Sequence, residues 1–104
     1  MSTMQTQTLS AQQIESLRRR VIERDGGLCV NCGAQGDHVH HIIPRSRAAR
    51  NSPKVWREEN MCVICLSCHE KGQTKWFRER MLRLMRERHG YYMAWAGQFG
   101  ICLD

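Results

Sequence analysis

Two Cys-x2-Cys pairs, Cys29 with Cys32 and Cys65 with Cys68, are separated by 32 residues. Each pair offers two thiolates from one turn, and together they make the tetrahedral all-sulfur set that zinc takes at about 2.3 Å. Cys62 lies three residues before Cys65, so spacing alone also allows Cys62 with Cys65 as the second pair. Cys102 stands alone near the C-terminus and reads as a buried or free thiol. His38, His40, His41 and His69 surround the cysteine pairs, although a four-cysteine site needs none of them. Neutral imidazoles beside a basic loop suit a second, open divalent-cation site with positions left for water and phosphate oxygen.

The elements that must position these groups follow from local pattern. Ser10-Ala11-Gln12-Gln13 fits a capping box, and Leu9 with Ile14 fits a hydrophobic staple, so a helix is expected over 10–25 after a flexible stretch at 1–9. Ile14, Leu17, Val21 and Ile22 form its apolar stripe, Arg18, Arg19 and Arg20 lie mostly outside that stripe, and Asp25-Gly26-Gly27 is the stop. The β-branched residues of 37–43 suggest a strand ended by Pro44, because the residue before proline is driven to extended geometry. Strict alternation along that strand would send His40 and His41 to opposite faces. Residues 44–57 form a loop with five cationic side chains and no acid. A short strand at 61–64 leads to the second cysteine turn, then to a helical pattern that reaches His89-Gly90 with a possible break at Gly72. Trp76, Phe77, Met81, Leu84 and Met85 are its expected buried side. The apolar tail 91–104 either covers the core or docks a partner.

The chain has 104 residues and no internal repeat or linker, which fits one domain. So small a fold hides only about two-thirds of its chain's surface, so metal ligation is a natural supplement to a modest core. The first residues lack a basic stretch followed by an apolar core, so an intracellular, thiol-keeping protein is expected. No run approaches the roughly 20 apolar residues of a membrane span. The formal net charge is +6, carried by 13 Arg and 3 Lys against 10 acids, which favours a phosphate-bearing polyanion as partner. A thiol redox protein is disfavoured, since no βαβ pattern accompanies the Cys-x2-Cys pairs.

The run Asp37-His38-Val39-His40-His41-Ile42-Ile43-Pro44, then Asn60, then Cys65-Leu66-Ser67-Cys68-His69-Glu70-Lys71, resembles the cysteine-containing branch of the HNH endonuclease family. Asn60 stands five, eight and nine residues before Cys65, Cys68 and His69, as in that family, and this resemblance assigns Cys65 and Cys68 as the second pair. It covers about residues 25–75 and implies an α+β fold. That fold is a small zinc-stabilised ββα-metal finger with flanking N- and C-terminal helices, the zinc-framed core spanning 28–73 and the second helix 74–89.

The resemblance implies Cys29, Cys32, Cys65 and Cys68 as ligands of structural Zn²⁺, and His40 and His69 as ligands of one catalytic Mg²⁺, Mn²⁺ or Ni²⁺ ion. His41 would be the general base, and Asn60 would orient it or join the metal. The implied reaction is hydrolysis of DNA to 5′-phosphate and 3′-hydroxyl ends, with Arg45, Arg47, Arg50, Lys54 and Arg57 as the expected DNA-backbone patch. Some members have a further histidine where this chain has Gln73. Small phage-encoded HNH proteins share the pattern, which implies a part in DNA packaging and terminase subunits as partners for the tail. The competing expectation is a non-catalytic zinc module that binds nucleic acid through its arginines.

Overall fold

The computed structural model describes residues 8–71, 74–101 and 103. Gly72, Gln73, Cys102 and most of the 1–9 stretch therefore lie outside the described residues. Leu9, expected to be flexible, is tied down: its N–H donates to Asn51 O at 2.8 Å, and its side chain packs on the core, as does Ile14.

Helix α1 spans Ala11–Asp25. Both arms of the capping box are made: Ser10 Oγ accepts from Gln13 N at 3.1 Å, and Ser10 N donates to Gln13 Oε1 at 2.8 Å. Gly26, in the left-handed region that an L side chain resists, closes the helix at φ 65°. Leu17 and Val21 are buried, but Ile22 is 43% exposed. Arg24, three residues beyond Val21, takes the inward position instead.

That inward arginine and its neighbour Asp25 form a polar anchor. Arg24 Nε lies 2.8 Å from Asp25 Oδ1, with side-chain exposures of only 12% and 1%. Arg24 donates to the carbonyls of Glu58 and Met61 and to Tyr91 Oη, while Asp25 Oδ2 accepts from Val63 N at 2.9 Å. The end of α1 is thereby pinned to the strand and to the tail.

Two strands, β1 (His38–His41) and β2 (Met61–Ile64), pair antiparallel, with His40 opposite Cys62 and His41 opposite Met61. The first strand is shorter than the 37–43 run suggests. Ile42 N donates to Asn60 O and Ile43 N to Asn60 Oδ1, so Asn60 takes over the ladder and the chain bends toward Pro44. Every residue of β2 is buried. The basic loop is partly ordered by a 3-10 turn at Arg45–Arg47, and a second such turn, Glu58–Asn60, leads into β2.

The second helical pattern is two helices: α2, Leu66–His69, and α3, Lys75–His89. Thr74 caps α3, its Oγ1 accepting from Phe77 N at 3.2 Å. Phe77, Met81, Leu82 and Met85 are the buried side of α3. Trp76, expected inside, is 69% exposed, because one residue before Phe77 lies about 100° around the helix, and Leu84 is only partly covered. The tail folds back as a 3-10 helix, Ala94–Phe99, with Ala96 buried and Met93, Trp95, Phe99, Ile101 and Leu103 packed on the core. Of its two expected roles, core cover is the one this packing serves.

Asp25→Ala strips the counter-charge from a buried guanidinium and the acceptor from Val63 N–H. Denaturant unfolding of the zinc-loaded protein is expected to register a loss of about 3–5 kcal/mol.

Candidate active site

Cys29 and Cys32 come from the tight turn after α1, which is held by Cys29 N→Ala34 O and Gly33 N→Cys29 O bonds and by a bridge between Leu28 and Gln35. Cys65 is the residue before α2, and Cys68 lies within it. Sγ atoms of all four lie within 4.8 Å of one another, and those of Cys32 and Cys65 are 3.6 Å apart. Sulfurs at the corners of a tetrahedral zinc site stand about 3.8 Å apart. The cluster is thus positioned to hold one zinc ion. Cys62 faces the core of β2, and burial drives its thiol far above the ordinary range, so it takes no part. Burial also acts to raise Cys29, yet backbone N–H donors from Cys65, Cys32 and Asn31 prevail and bring it down to about 6. Asn31 Nδ2 donates to Cys68 Sγ at 3.3 Å, and Asn31 Oδ1 accepts from Arg80 Nε at 2.8 Å, which ties α3 to the cluster.

Beside this cluster lies the histidine cleft. His69 is the last residue of α2, next to the ligand Cys68, and Asp37 Oδ2 accepts from Leu66 N at 2.9 Å at the start of that helix. The His69 ring stacks on His38 at 4.8 Å and meets His40 edge-on at 5.1 Å. His38, which the sequence leaves without a role, is therefore part of the histidine cluster. His69 Nδ1 is buried with no hydrogen-bond partner among the described residues. An unpartnered buried imidazole nitrogen can serve as a metal ligand, but among the described residues the four cysteines are the group of three or more such ligands drawn together, and the stacked His38 ring aims no nitrogen with His69 at one point.

His40 and His41 line the same cleft of about 320 Å³, together with Arg18, Val39, Pro44, Arg45, Trp56 and His69. Alternation does not separate them, because His41 ends β1 and the chain turns away behind it. The His41 ring meets Trp56 edge-on at 4.3 Å, and its Nε2 is buried without a partner among the described residues. Burial first, then the charges of Arg45, His40 and Arg18, hold the His41 pKa down to about 4. His40 is likewise lowered to about 4 by burial and by His69 and His38.

Asn60 is fully buried. Its amide donates to Ile43 O at 3.0 Å and Val55 O at 2.9 Å, and its Oδ1 accepts from Ile43 N at 2.8 Å. With both amide hydrogens committed, Asn60 offers the cleft no free donor, and its three bonds staple the chain behind His41.

The expected basic patch is dispersed. Arg45 lines the cleft, its guanidinium over the Trp56 ring at 5.8 Å. Arg47 turns to the tail, donating to Phe99 O at 3.3 Å, and shares a separate depression with Lys54. Arg50 is exposed. Arg57 is half-buried, bonded to Glu59 at 3.1 Å and laid over Trp95 at 4.8 Å, so its charge is turned inward. Arg18 and Trp56 are the cleft residues that sequence pattern did not single out. The available signal for Arg18 was its place one residue beyond buried Leu17, at the border of the apolar stripe.

Residues 29–75 match the family model of the HNH endonucleases. The chain is similar to an HNH domain over that segment. Its two Cys-x2-Cys pairs, β-hairpin and α2 all fall within the matched segment, and the four-cysteine cluster fits a zinc-stabilised ββα fold. No curated protein and no solved structure matches the chain. Among the described residues, no helix is long and apolar enough to cross a membrane.

Two measurements check this site. Metal analysis is expected to find one zinc per chain, and chelation should unfold the protein, because thiolate ligation and folding are coupled. For His40 and His41, an NMR titration without added divalent cation should give midpoints near 4, against 6.5 for an unperturbed ring. Between those values the unfolded chain binds more protons, so this part of the stability is complete above about pH 6.5 and declines as pH falls to about 4.

Proposed function

We propose that the protein is a metal-dependent DNA endonuclease working from the His41 cleft. The observation that carries this reading is that cleft's composition: three imidazoles and two guanidiniums with no carboxylate among the described residues, beside a segment that matches the HNH endonucleases. A pocket so built attracts a phosphodiester and repels no part of it.

The residues divide the work as follows. His41, neutral at physiological pH, takes a proton from attacking water at Nε2, the nitrogen that has no partner in the fold. Trp56 against the ring and Asn60 behind the strand end hold its orientation, so Asn60 is a positioning residue. His40 and His69, with His38 stacked beside His69, are the groups that would hold the divalent cation. That cation supplies charge neutralisation to the phosphate and its leaving oxygen when bound. Arg45 offers a guanidinium fork to a non-bridging oxygen. Zn²⁺ is the ion we assign to the four cysteines, where a closed all-sulfur shell holds structure and leaves no position for substrate.

Supercoiled plasmid incubated with the zinc-loaded protein and Mg²⁺, Mn²⁺ or Ni²⁺ is expected to become nicked or linear. His41→Ala should slow the conversion by roughly 10²–10⁴-fold, the contribution of a positioned general base. Equal rates for the two proteins would sink the enzymatic reading and leave a nucleic-acid-binding zinc module.

A further inference from the structure

We infer that Arg18, on α1 and outside the HNH segment, binds the phosphodiester that reacts at His41. This inference rests on the nuclease reading and adds to it a substrate contact from a helix that would otherwise serve as scaffold.

Helix α1 carries four arginines in its described length, and three have acidic partners. Arg19 Nη2 lies 3.6 Å from Glu15, Arg20 Nε 3.1 Å from Glu58, and Arg24 Nε 2.8 Å from Asp25. Arg18 has no hydrogen bond or ion pair among the described residues, and it is half-buried where Arg19 and Arg20 are exposed. It is also the α1 residue that lines the cleft with His40, His41, Arg45 and His69. A partly desolvated guanidinium without a counter-ion is costly unless an anion arrives.

The cleft indicates what that anion is. Arg18 reaches it from α1 and Arg45 from the loop after β1, so two forks from separate elements converge on the space beside His41. A phosphodiester has one charge and two non-bridging oxygens, which two planar guanidiniums can each engage. Among the described residues, no carboxylate lines the space to compete for either fork.

The test uses the full zinc-loaded chain with Arg18→Ala, Arg18→Lys and, as a control of equal charge change, Arg19→Ala. Substrates are plasmid DNA and bis(p-nitrophenyl) phosphate, a diester with no neighbouring phosphates, both with Mn²⁺. Arg18→Ala is expected to lower kcat/KM on both by roughly 10- to 100-fold, the loss of one charged hydrogen bond, with an unchanged melting temperature. Arg18→Lys should recover part of the loss, because it restores the charge without the fork. Arg19→Ala should stay within about twofold of wild type.

In a His41→Ala background, which leaves DNA intact, adding Arg18→Ala should reduce the slope of log K against log[salt] by about 1. Wild-type rates in Arg18→Ala would overturn the inference while a dead His41→Ala kept the nuclease reading. Loss on plasmid but not on the small diester would overturn placement at the reacting phosphate. Should wild type itself be inactive, the nuclease reading fails separately, and an unchanged salt slope would overturn the Arg18 contact as well.

Discussion

Four sulfurs within 4.8 Å of one another, drawn from both ends of the hairpin, are the constraint on which the rest of the structure depends. Thiolates so close repel one another, and only a cation at their centre makes the arrangement favourable. Once it is made, the turn at 29–32 and the start of α2 are locked together, and the strands between them have little freedom left. His69 follows Cys68 directly, so the ligation that closes the structural site also aims a group at the cleft. The Asn31 amide, bonded to Cys68 Sγ and to Arg80, carries the same constraint into α3. A core this small would fix neither helix to that tolerance through apolar contact alone, because dispersion contacts are many but weakly directional.

The second device is a pair of buried polar residues whose bonding capacity is spent on backbone. Asp25 accepts from Val63 N and pairs with Arg24, which in turn donates to two carbonyls ahead of and within β2. Asn60 meets the N–H and C=O of Ile43 and the carbonyl of Val55. Each replaces ladder bonds where a two-stranded sheet runs out of partners, and each acts beside His40 or His41. An apolar residue at Asn60 would leave three buried backbone groups unmet, and one at Asp25 would strand the Val63 N–H and the Arg24 guanidinium, whereas a merely smaller core side chain would leave a cavity.

Much of this was legible in the chain, and the failures have physical causes. The capping box at Ser10, strand β2 and the Cys-x2-Cys pairs are local patterns, and all appear in the structure where the pattern puts them. The paired cysteines left Cys62 against Cys68 open on spacing, and the sulfur cluster, which takes in Cys68 and leaves Cys62 facing the core, decides it. Boundaries moved where a tertiary group intervened: β1 ends at His41 because a side chain 19 residues on takes its bonds. Helical spacing of apolar residues places Ile22 and Trp76 inside, but helix phase and the inward Arg24 turn them out. Arg57 counts as one charge of a basic loop in sequence, yet Glu59 and Trp95 claim it in space. Arg18 stayed hidden for the opposite reason: its distinction is the lack of a partner, which no sequence pattern displays.

That contrast between committed and uncommitted polar groups supports the proposed placement of the chemistry. A buried polar atom without a hydrogen bond is destabilising, so a fold keeps few of them unless they serve something beyond folding. Arg57 Nε, His89 Nε2 and Trp95 Nε1 are such nitrogens away from the histidine cleft. Arg57 bonds Glu59 through another nitrogen, His89 Nε2 faces Asp25 at 3.7 Å, and Trp95 lies under the Arg57 cation. The imidazole nitrogens of His41 and His69 have no such compensation, and both rings line one cleft. Asn60, behind His41, is occupied with backbone groups. The fold thus leaves two buried imidazole nitrogens in one cleft uncommitted, and these are the ones that the proposed function gives to a cation and a water.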